Sequence, residues 1–349
     1  MSTRLRALVL AAGFGTRLEP LTHHLPKPLL PVAGLPVAAL TLQRLAAIGC
    51  EVAALNLHHL GASIREEFGR RWGRMPLVYS VEDEIQGTLG ALHPLREAFA
   101  GADAVILVNG DSLCRWPLRR LVRRHLATGA AATLLLHHRR PDAALGGGVG
   151  VDRRGRIVAL RDVAADEPAR RHVFAGVHVL SPRLLERVEP GFGDIVEGLY
   201  QPLLSGPANA PSLQAVVTAR PWHDLGTPAR YLDAVLAALG SPWPWPLSRI
   251  HGVRSYCSPL ATRADSVELV RSTVERGARL GAGARLEDSV VLDGASIGRG
   301  VHLRRVVVGP AANIPDAAQI EGRLVTRADP GRSLVEGQSQ MGDLVYTPL

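Results

Sequence analysis

Between Val274 and Ile320 an aliphatic residue recurs at intervals of six, six and five, through Val274, Leu280, Leu286, Val291, Ile297, Leu303, Val308, Ile314 and Ile320. Glycine and alanine fill the intervals, as in GARLGAGAR and GASIGRG. Such a period suits a solenoid with three flat faces per coil, each turning one aliphatic side chain inward and keeping small residues at its corners. The stretch 253–335 is therefore expected to form a left-handed parallel β-helix of three or four coils, with 336–349 as a C-terminal tail. Coils of this kind serve in assembly as readily as in acyl transfer. The one histidine of the repeats, His302, lies in a repeat position and not in an inserted loop, so an assembly or stabilising role is expected, including homo-oligomer formation through the coils.

Upstream the pattern is different. At 349 residues the chain has room for two domains. Apolar runs at Ala7–Ala12, Val52–Leu57, Leu77–Tyr79, Ala104–Val108 and Ala132–Leu136 alternate with helical spacing at Pro36–Ile48, Ala62–Trp72 and Pro117–Thr128. Strand pieces follow at Val149–Val151, Ile157–Leu160 and Val173–Leu180, then helices near Pro182–Val188 and Asp194–Leu204, and a strand at Leu213–Thr218. Thr227 can cap a last helix that has Pro228 at its first position. This order predicts an α/β domain over 1–240, a doubly wound, mixed but mostly parallel sheet, with its ligand crevice at the carboxyl ends of the strands. The Pro- and Trp-rich segment 241–252 reads as a stiff linker.

At the carboxyl end of the first strand lies LAAGFGTRLEPLTHHLPKPLLPVAG, Leu10 to Gly34. Gly13 and Gly15 allow close approach of the backbone to an anion, Arg17 offers a planar fork of donors, and Lys27 offers a compact charge fixed by Pro26 and Pro28. Lys27 is the one lysine among 40 basic side chains, so a small ammonium is expected to be needed there. Leu18 stands where a dinucleotide fingerprint needs a small residue, and no GK[ST] follows, so neither a Rossmann dehydrogenase nor a Walker A site is supported. Asp111 follows a buried strand and Asn109-Gly110, and Asp224 follows Trp222-His223. Either carboxylate could simply cap a turn or helix. Beside an anion loop, the two together make a plausible Mg²⁺ site.

Composition narrows the function classes. A net charge of +8 and paired arginines at 70/71, 119/120, 123/124, 139/140, 153/154, 170/171 and 304/305 raise nucleic acid as a partner. The pairs are spread along the chain without aromatic interleaving or finger spacing, which argues against it. Cys50, Cys114 and Cys257 lie far apart and fit neither a disulfide framework nor a zinc site, which suits a reducing cytoplasm. The apolar run after MSTRLR is too short for a signal peptide, and no stretch has the length of a membrane span. The doublets His23/His24, His58/His59 and His137/His138 have no acidic partner at metal spacing and are expected at loops and strand ends.

LAAGFGTRLEPLT, PKPLLPV, VNGD and WHDLGTP occur here in the order seen in the sugar-1-phosphate nucleotidylyltransferases, and the chain resembles that family over about 1–240 and in its appended β-helix. The resemblance implies a nucleotidyltransferase-like fold and transfer of a nucleotidyl group from an NTP to a sugar 1-phosphate, with Mg²⁺ as cofactor and mannose-, heptose- or muramate-1-phosphate-like substrates. By the same resemblance Leu10, Ala11, Ala12, Gly13, Gly15, Thr16 and Arg17 hold the NTP, while Gln86, Gly87 and Thr88 meet the nucleoside. Lys27, Asn109, Gly150, Arg161, Gly176 and Asp194 serve the sugar phosphate. Asp111 and Asp224 bind the metal, and Arg17, Lys27 and Asp111 are the catalytic set. One departure stands out. Many members carry Glu-Lys-Pro after the strand equivalent to Ile157–Leu160, whereas this chain has ALRDV, with Arg161 as the available cation. The missing second lysine leaves open an alternative, a non-catalytic nucleotide-sugar sensor of the same fold. A glycosyltransferase would usually show DxD where this chain has NGD.

Overall fold

The computed structural model describes residues 3–139, 148–161, 163–164, 170–206, 211–240 and 254–349. The linker expected at 241–252 lies outside the described residues, as do Asp162 and the first part of the glycine-rich turn at 146–150. Two compact units are present, one made of Met1–Gly13 and Thr41–Trp222, the other of Phe14–Leu40 and His223–Leu349.

The first unit is the α/β sheet. In chain order it contains β1 (Leu5–Leu10), most of α1 (Val37–Ala47), β2 (Cys50–Leu57), α2 (Gly61–Phe68), β3 (Met75–Val81), β4 (Ala104–Asn109), α3 (Leu118–Thr128) and β5 (Ala132–His137). There follow β6 (Val149–Val151), β7 (Ile157–Leu160), β8 (Arg170–Leu180) and β9 (Leu213–Thr218). Strands β3, β2, β1 and β4 lie side by side and run parallel. In β1, β2 and β4 the residues are near-continuously apolar and buried, because both faces of such a sheet are covered, whereas β3 keeps only Met75 and Leu77 buried. Strand β8 then joins β4 antiparallel, carries β6 and β7 as an antiparallel extension, and also pairs with β5, to which β9 adds in parallel. The sheet is mixed and mostly parallel, as expected. Its order reverses at β1, with β2 on one side and β4 on the other, so a switch point opens at the carboxyl ends of β1 and β4.

Several boundaries shift by a few residues from the sequence expectation, the first strand spanning Leu5–Leu10 instead of Ala7–Ala12, and two helices differ in kind. The helix read as Ala62–Trp72 stops at Phe68, because Gly69 takes φ +61° and Arg71–Trp72 pairs with Met75–Pro76 as a short antiparallel strand. The helix read as Asp194–Leu204 is a π-turn at Val196–Tyr200 that continues as Gln201–Leu204.

The second unit contains the loop Phe14–Leu40, α4 (Pro228–Ala238) and the C-terminal solenoid. Thr227 caps α4 as expected, its hydroxyl accepting from the Arg230 N–H at 3.3 Å. In the solenoid, strands stack in parallel with a 17-residue step, so that Leu269, Leu286, Leu303 and Ile320 form one column. Eight of the nine repeat aliphatics are buried, and Ile320, on the last coil, is half-buried. Residues 344–348 return antiparallel onto Arg323–Arg327, which covers the end of the coil stack. Tyr231 of α4 is fully buried and its hydroxyl donates to the Pro31 carbonyl at 2.7 Å. Among the described residues no helix is long and apolar enough to cross a membrane.

Candidate active site

The switch point collects one set of the expected residues. Leu10 at the end of β1 lies opposite Asn109 at the end of β4, and the Gly110 N–H donates to the Leu10 carbonyl at 3.0 Å. A side chain on Gly110 would meet that carbonyl oxygen at 2.7 Å, so only glycine lets the chain turn towards Asp111 here. Ala11 is held by its N–H, which donates to Oδ1 of Asn56 at 2.8 Å, while Asn56 Nδ2 donates to Glu82 Oε1 at 2.8 Å. The other Glu82 oxygen accepts from the Gln86 N–H at 2.9 Å. Asn56 and Glu82 are both buried and were not singled out from the sequence. The trace they left there was polar residues closing two apolar runs, VAALNL and LVYSVE. The network fixes the Ala11–Gly13 backbone to the turn at Gln86.

Gly13 and Gly87 play different parts. A Cβ on Gly13 would meet nothing within 4 Å, so the protein itself has no steric need for glycine there. Gly87 has φ +71°, and its Cβ would lie 2.4 Å from the Gly193 carbonyl oxygen. Leu89 N–H donates to that same oxygen at 2.8 Å, and Thr88 Oγ1 accepts from the Ile195 N–H at 3.0 Å. The turn of Gln86, Gly87 and Thr88 is thereby joined to the segment carrying Asp194. Asp194 accepts from the N–H groups of Val196 and Glu197 and from Arg161 Nη2 at 2.9 Å. These hydrogen bonds hold its carboxyl below the usual range although burial opposes them, as the largest single influence. Arg161 also donates to Glu197 at 2.7 Å, so its charge is already matched by two carboxylates. Gly176, φ +76°, packs against Asn109, whose Cβ lies 3.3 Å from the position a side chain would take. Gly150 pairs across β6 with Arg171 and Ala159.

Behind Asp194, His178 and Tyr200 are buried together, with His178 Nδ1 and the Tyr200 hydroxyl 2.7 Å apart. Burial pushes the imidazole down to about 3, so it is neutral at ordinary pH.

The second unit holds the cationic set. Gly15 has φ +71°, and its Cβ would fall 2.9 Å from Cγ of Lys27 and 2.9 Å from Cγ2 of Thr22. Absence of a side chain at Gly15 therefore lets the Lys27 stem cross the loop. The Thr22 hydroxyl donates to the Gly15 carbonyl at 3.1 Å and closes the turn that carries Thr16 and Arg17. A Cβ on Gly226 would lie 2.7 Å from Asp224 Oδ1 and 3.0 Å from Arg17 Nη2, which places the Arg17 and Asp224 side chains around one glycine. Asp224 Oδ2 accepts from Arg230 Nη1 at 2.9 Å, a partner the sequence reading did not name. Among the described residues there is no group of three or more His, Cys, Asp or Glu placed to hold a metal ion. It is Oδ2 of Asp224 that meets Arg230, while Oδ1 is the oxygen beside Gly226. One or two carboxylates beside phosphates are what Mg²⁺ takes, so the donor set fits that ion.

The histidine doublets lie at loops and strand ends, but the first is not without acids. His23 Nδ1 is 2.9 Å from Asp329 Oδ2, and His24 Nε2 is 3.1 Å from Asp329 Oδ1. His302 opens a solenoid strand and is exposed.

A family model described as Nucleotidyl transferase matches residues 6–240, and one described as GlmU-like, C-terminal hexapeptide, matches residues 254–326. The chain is 32% identical over 289 residues to a mannose-1-phosphate guanylyltransferase of Mycobacterium tuberculosis, covering 82% of this chain and 79% of that protein. It is 26% identical over 358 residues to a UTP–glucose-1-phosphate uridylyltransferase of Synechocystis, covering 95% and 86%. The crystal structure of HddC from Yersinia pseudotuberculosis complexed with GMP-PN shares the fold with a TM-score of 0.53 at 20% identity, over 66% of this chain and 97% of that one.

Proposed function

The chain belongs to the nucleotidyl transferase family and is a sugar-1-phosphate nucleotidylyltransferase, and from this we propose that it joins a guanine nucleotide to mannose 1-phosphate or a closely similar sugar phosphate. The observation that carries the reading is the switch point at β1 and β4, where a glycine-bearing turn and Asp111 leave adjacent strand ends. The identity to a protein named mannose-1-phosphate guanylyltransferase supports the choice of sugar and base.

In this reading the sugar phosphate oxygen attacks the α-phosphorus of the NTP, and pyrophosphate leaves in line. Such a step asks the protein for position and charge, not for a covalent intermediate. The Ala11–Gly13 backbone admits the triphosphate, because Gly13 leaves open space and Asn56 fixes Ala11. Arg17, which is in no ion pair among the described residues, and Lys27 bear the negative charge. The turn at Gly87 and Thr88 meets the base and ribose, while Asn109, Gly150, Gly176 and Asp194 line the sugar side. Arg161 acts through Asp194, positioning that carboxylate, since its guanidinium is engaged there. Asp111 and Asp224 are the residues assigned to Mg²⁺, and the chemistry supplied by bound Mg²⁺ is neutralisation of phosphate charge. Assembly through the solenoid faces is part of the same proposal, and solution mass checks it.

The test is pyrophosphate release across a panel of NTPs and sugar 1-phosphates with Mg²⁺. Release that is fastest with GTP and mannose 1-phosphate is expected. Faster release with another base or with glucose 1-phosphate would overturn the substrate assignment.

A further inference from the structure

The first unit also carries a cleft of about 360 Å³ between the end of α1 and the start of α3. Its walls include Arg44, Arg119, Arg120, Arg123 and Arg220, with Trp116 alongside and, among the described residues, no carboxylate in the lining. Among the described residues none of these five arginines is in an ion pair, although eleven other arginines are. Arg119 donates to the Ala47 carbonyl at 2.6 Å, which draws α1 and α3 together at the cleft. Arg44 is half-buried, and burial lowers its pKa, with the like charges of Arg115 and Arg220 adding to the effect. Five converging cations without a counter-charge repel one another, and in a concave site their fields add.

The place is distinct from the catalytic crevice. Ile48, on the cleft wall, precedes β2 by two residues, whereas Asn56, which holds Ala11, lies near the other end of that strand. At about 3.3 Å per residue the span of β2 separates them by roughly 20 Å.

We propose that this cleft is a second anion site, taking a ligand with two adjacent phosphoryl groups. Guanidinium forks match phosphate oxygens in pairs. A single phosphate would engage two or three of five such groups, whereas a diphosphate reaches them all, and the cleft volume lies at the small end of ligand sites. Inorganic pyrophosphate and the diphosphate of a nucleotide present the same chemistry.

Trp116 supplies a spectroscopic reporter on the cleft wall. Its indole N–H donates to the Ala175 carbonyl at 3.2 Å and is buried beside the cleft. The experiment follows the ¹⁵N indole resonance of Trp116, assigned with Trp116→Phe, during titration with inorganic pyrophosphate in Mg²⁺-free buffer. A saturable shift is expected, at least tenfold weaker in affinity in the Arg120→Ser/Arg123→Ser variant, whose changes fall on exposed helix positions. The shift should persist in Lys27→Ala, which touches only the proposed reaction site. Titration with GDP separates the sources: equal affinity assigns the diphosphate group alone, and tighter binding assigns a nucleotide. No Trp116 shift with either probe, an unchanged shift in the arginine variant, loss of the shift in Lys27→Ala, or the same response to sulfate at equal concentration would each overturn the proposal.

Discussion

Asp329 lies 2.9 Å from His23, Oδ2 to Nδ1, across 306 residues of chain. The same carboxylate reaches His24 at 3.1 Å, and Arg332 donates to His23 Nε2 at 2.6 Å. With that nitrogen accepting, His23 Nδ1 carries the proton and donates to Asp329. The residues between Arg17 and Lys27 are thus anchored to the segment that follows the last coil. Asp329→Ala should leave the solenoid folded and raise KM for the NTP several-fold, as the loop loses about 1–2 kcal/mol of ordering. Steady-state kinetics beside a thermal melt would check this; unchanged KM would show that the loop is ordered without the anchor.

Two glycines of the expected nucleotide site should respond in opposite ways. Gly87→Ala forces a side chain at φ +71° against the Gly193 carbonyl, 2.4 Å away, and should cost about 2 kcal/mol or more of stability. Gly13→Ala meets nothing in the protein and should change stability by less than about 0.5 kcal/mol while weakening NTP binding. Urea denaturation and nucleotide binding, measured on both variants, would separate them.

Lys27→Ala should lower kcat/KM by about 2–4 kcal/mol, the scale of losing one preorganised charged donor. Lys27→Arg should restore only part of that loss, because a planar fork replaces a compact charge while the stem keeps its place over Gly15. Wild-type turnover in Lys27→Ala would refute the role.

Glu275 predicts a pH dependence of stability. It is buried, its Oε2 accepts from the Gly34 N–H at 2.9 Å, and its Oε1 has no partner among the described residues. Burial, with Asp293 adding to it, pushes this carboxyl up to about 8. Between the ordinary carboxylate range and about pH 8 the folded state therefore binds more protons than the unfolded one, so stability falls as pH rises through that window. Below it the acid is neutral in both states and costs nothing. Glu275→Gln, which can still accept from Gly34, should gain stability that grows from pH 5 to pH 8, up to about 4 kcal/mol. Melting curves at several pH values would check the slope, and a pH-independent gain would contradict it.

The solenoid was legible because its signal is local and repeated: each coil asks for the same inward aliphatic, so the spacing alone located eight buried positions. The strand that leads into Asn109, the cap at Thr227 and the glycine turn were legible for a similar reason, since backbone preference and burial act within a few residues, whereas the first strand, expected to reach Ala12, ends at Leu10. The end of α2 was misread because strand pairing at Arg71–Trp72 overrides helical spacing.

The sequence by itself determined the two architectures, the alternation of strands and helices along the chain and the residue types at the phosphate loop, because periodicity and turn chemistry are short-range. Only the tertiary structure decided that Asp329 anchors His23, that Arg230 shares Asp224, that Asn56 and Glu82 hold Ala11, and that five arginines face one cleft without an acid. Hydrogen bonds and fields between distant residues follow from how the chain returns on itself, and no spacing along the sequence encodes them.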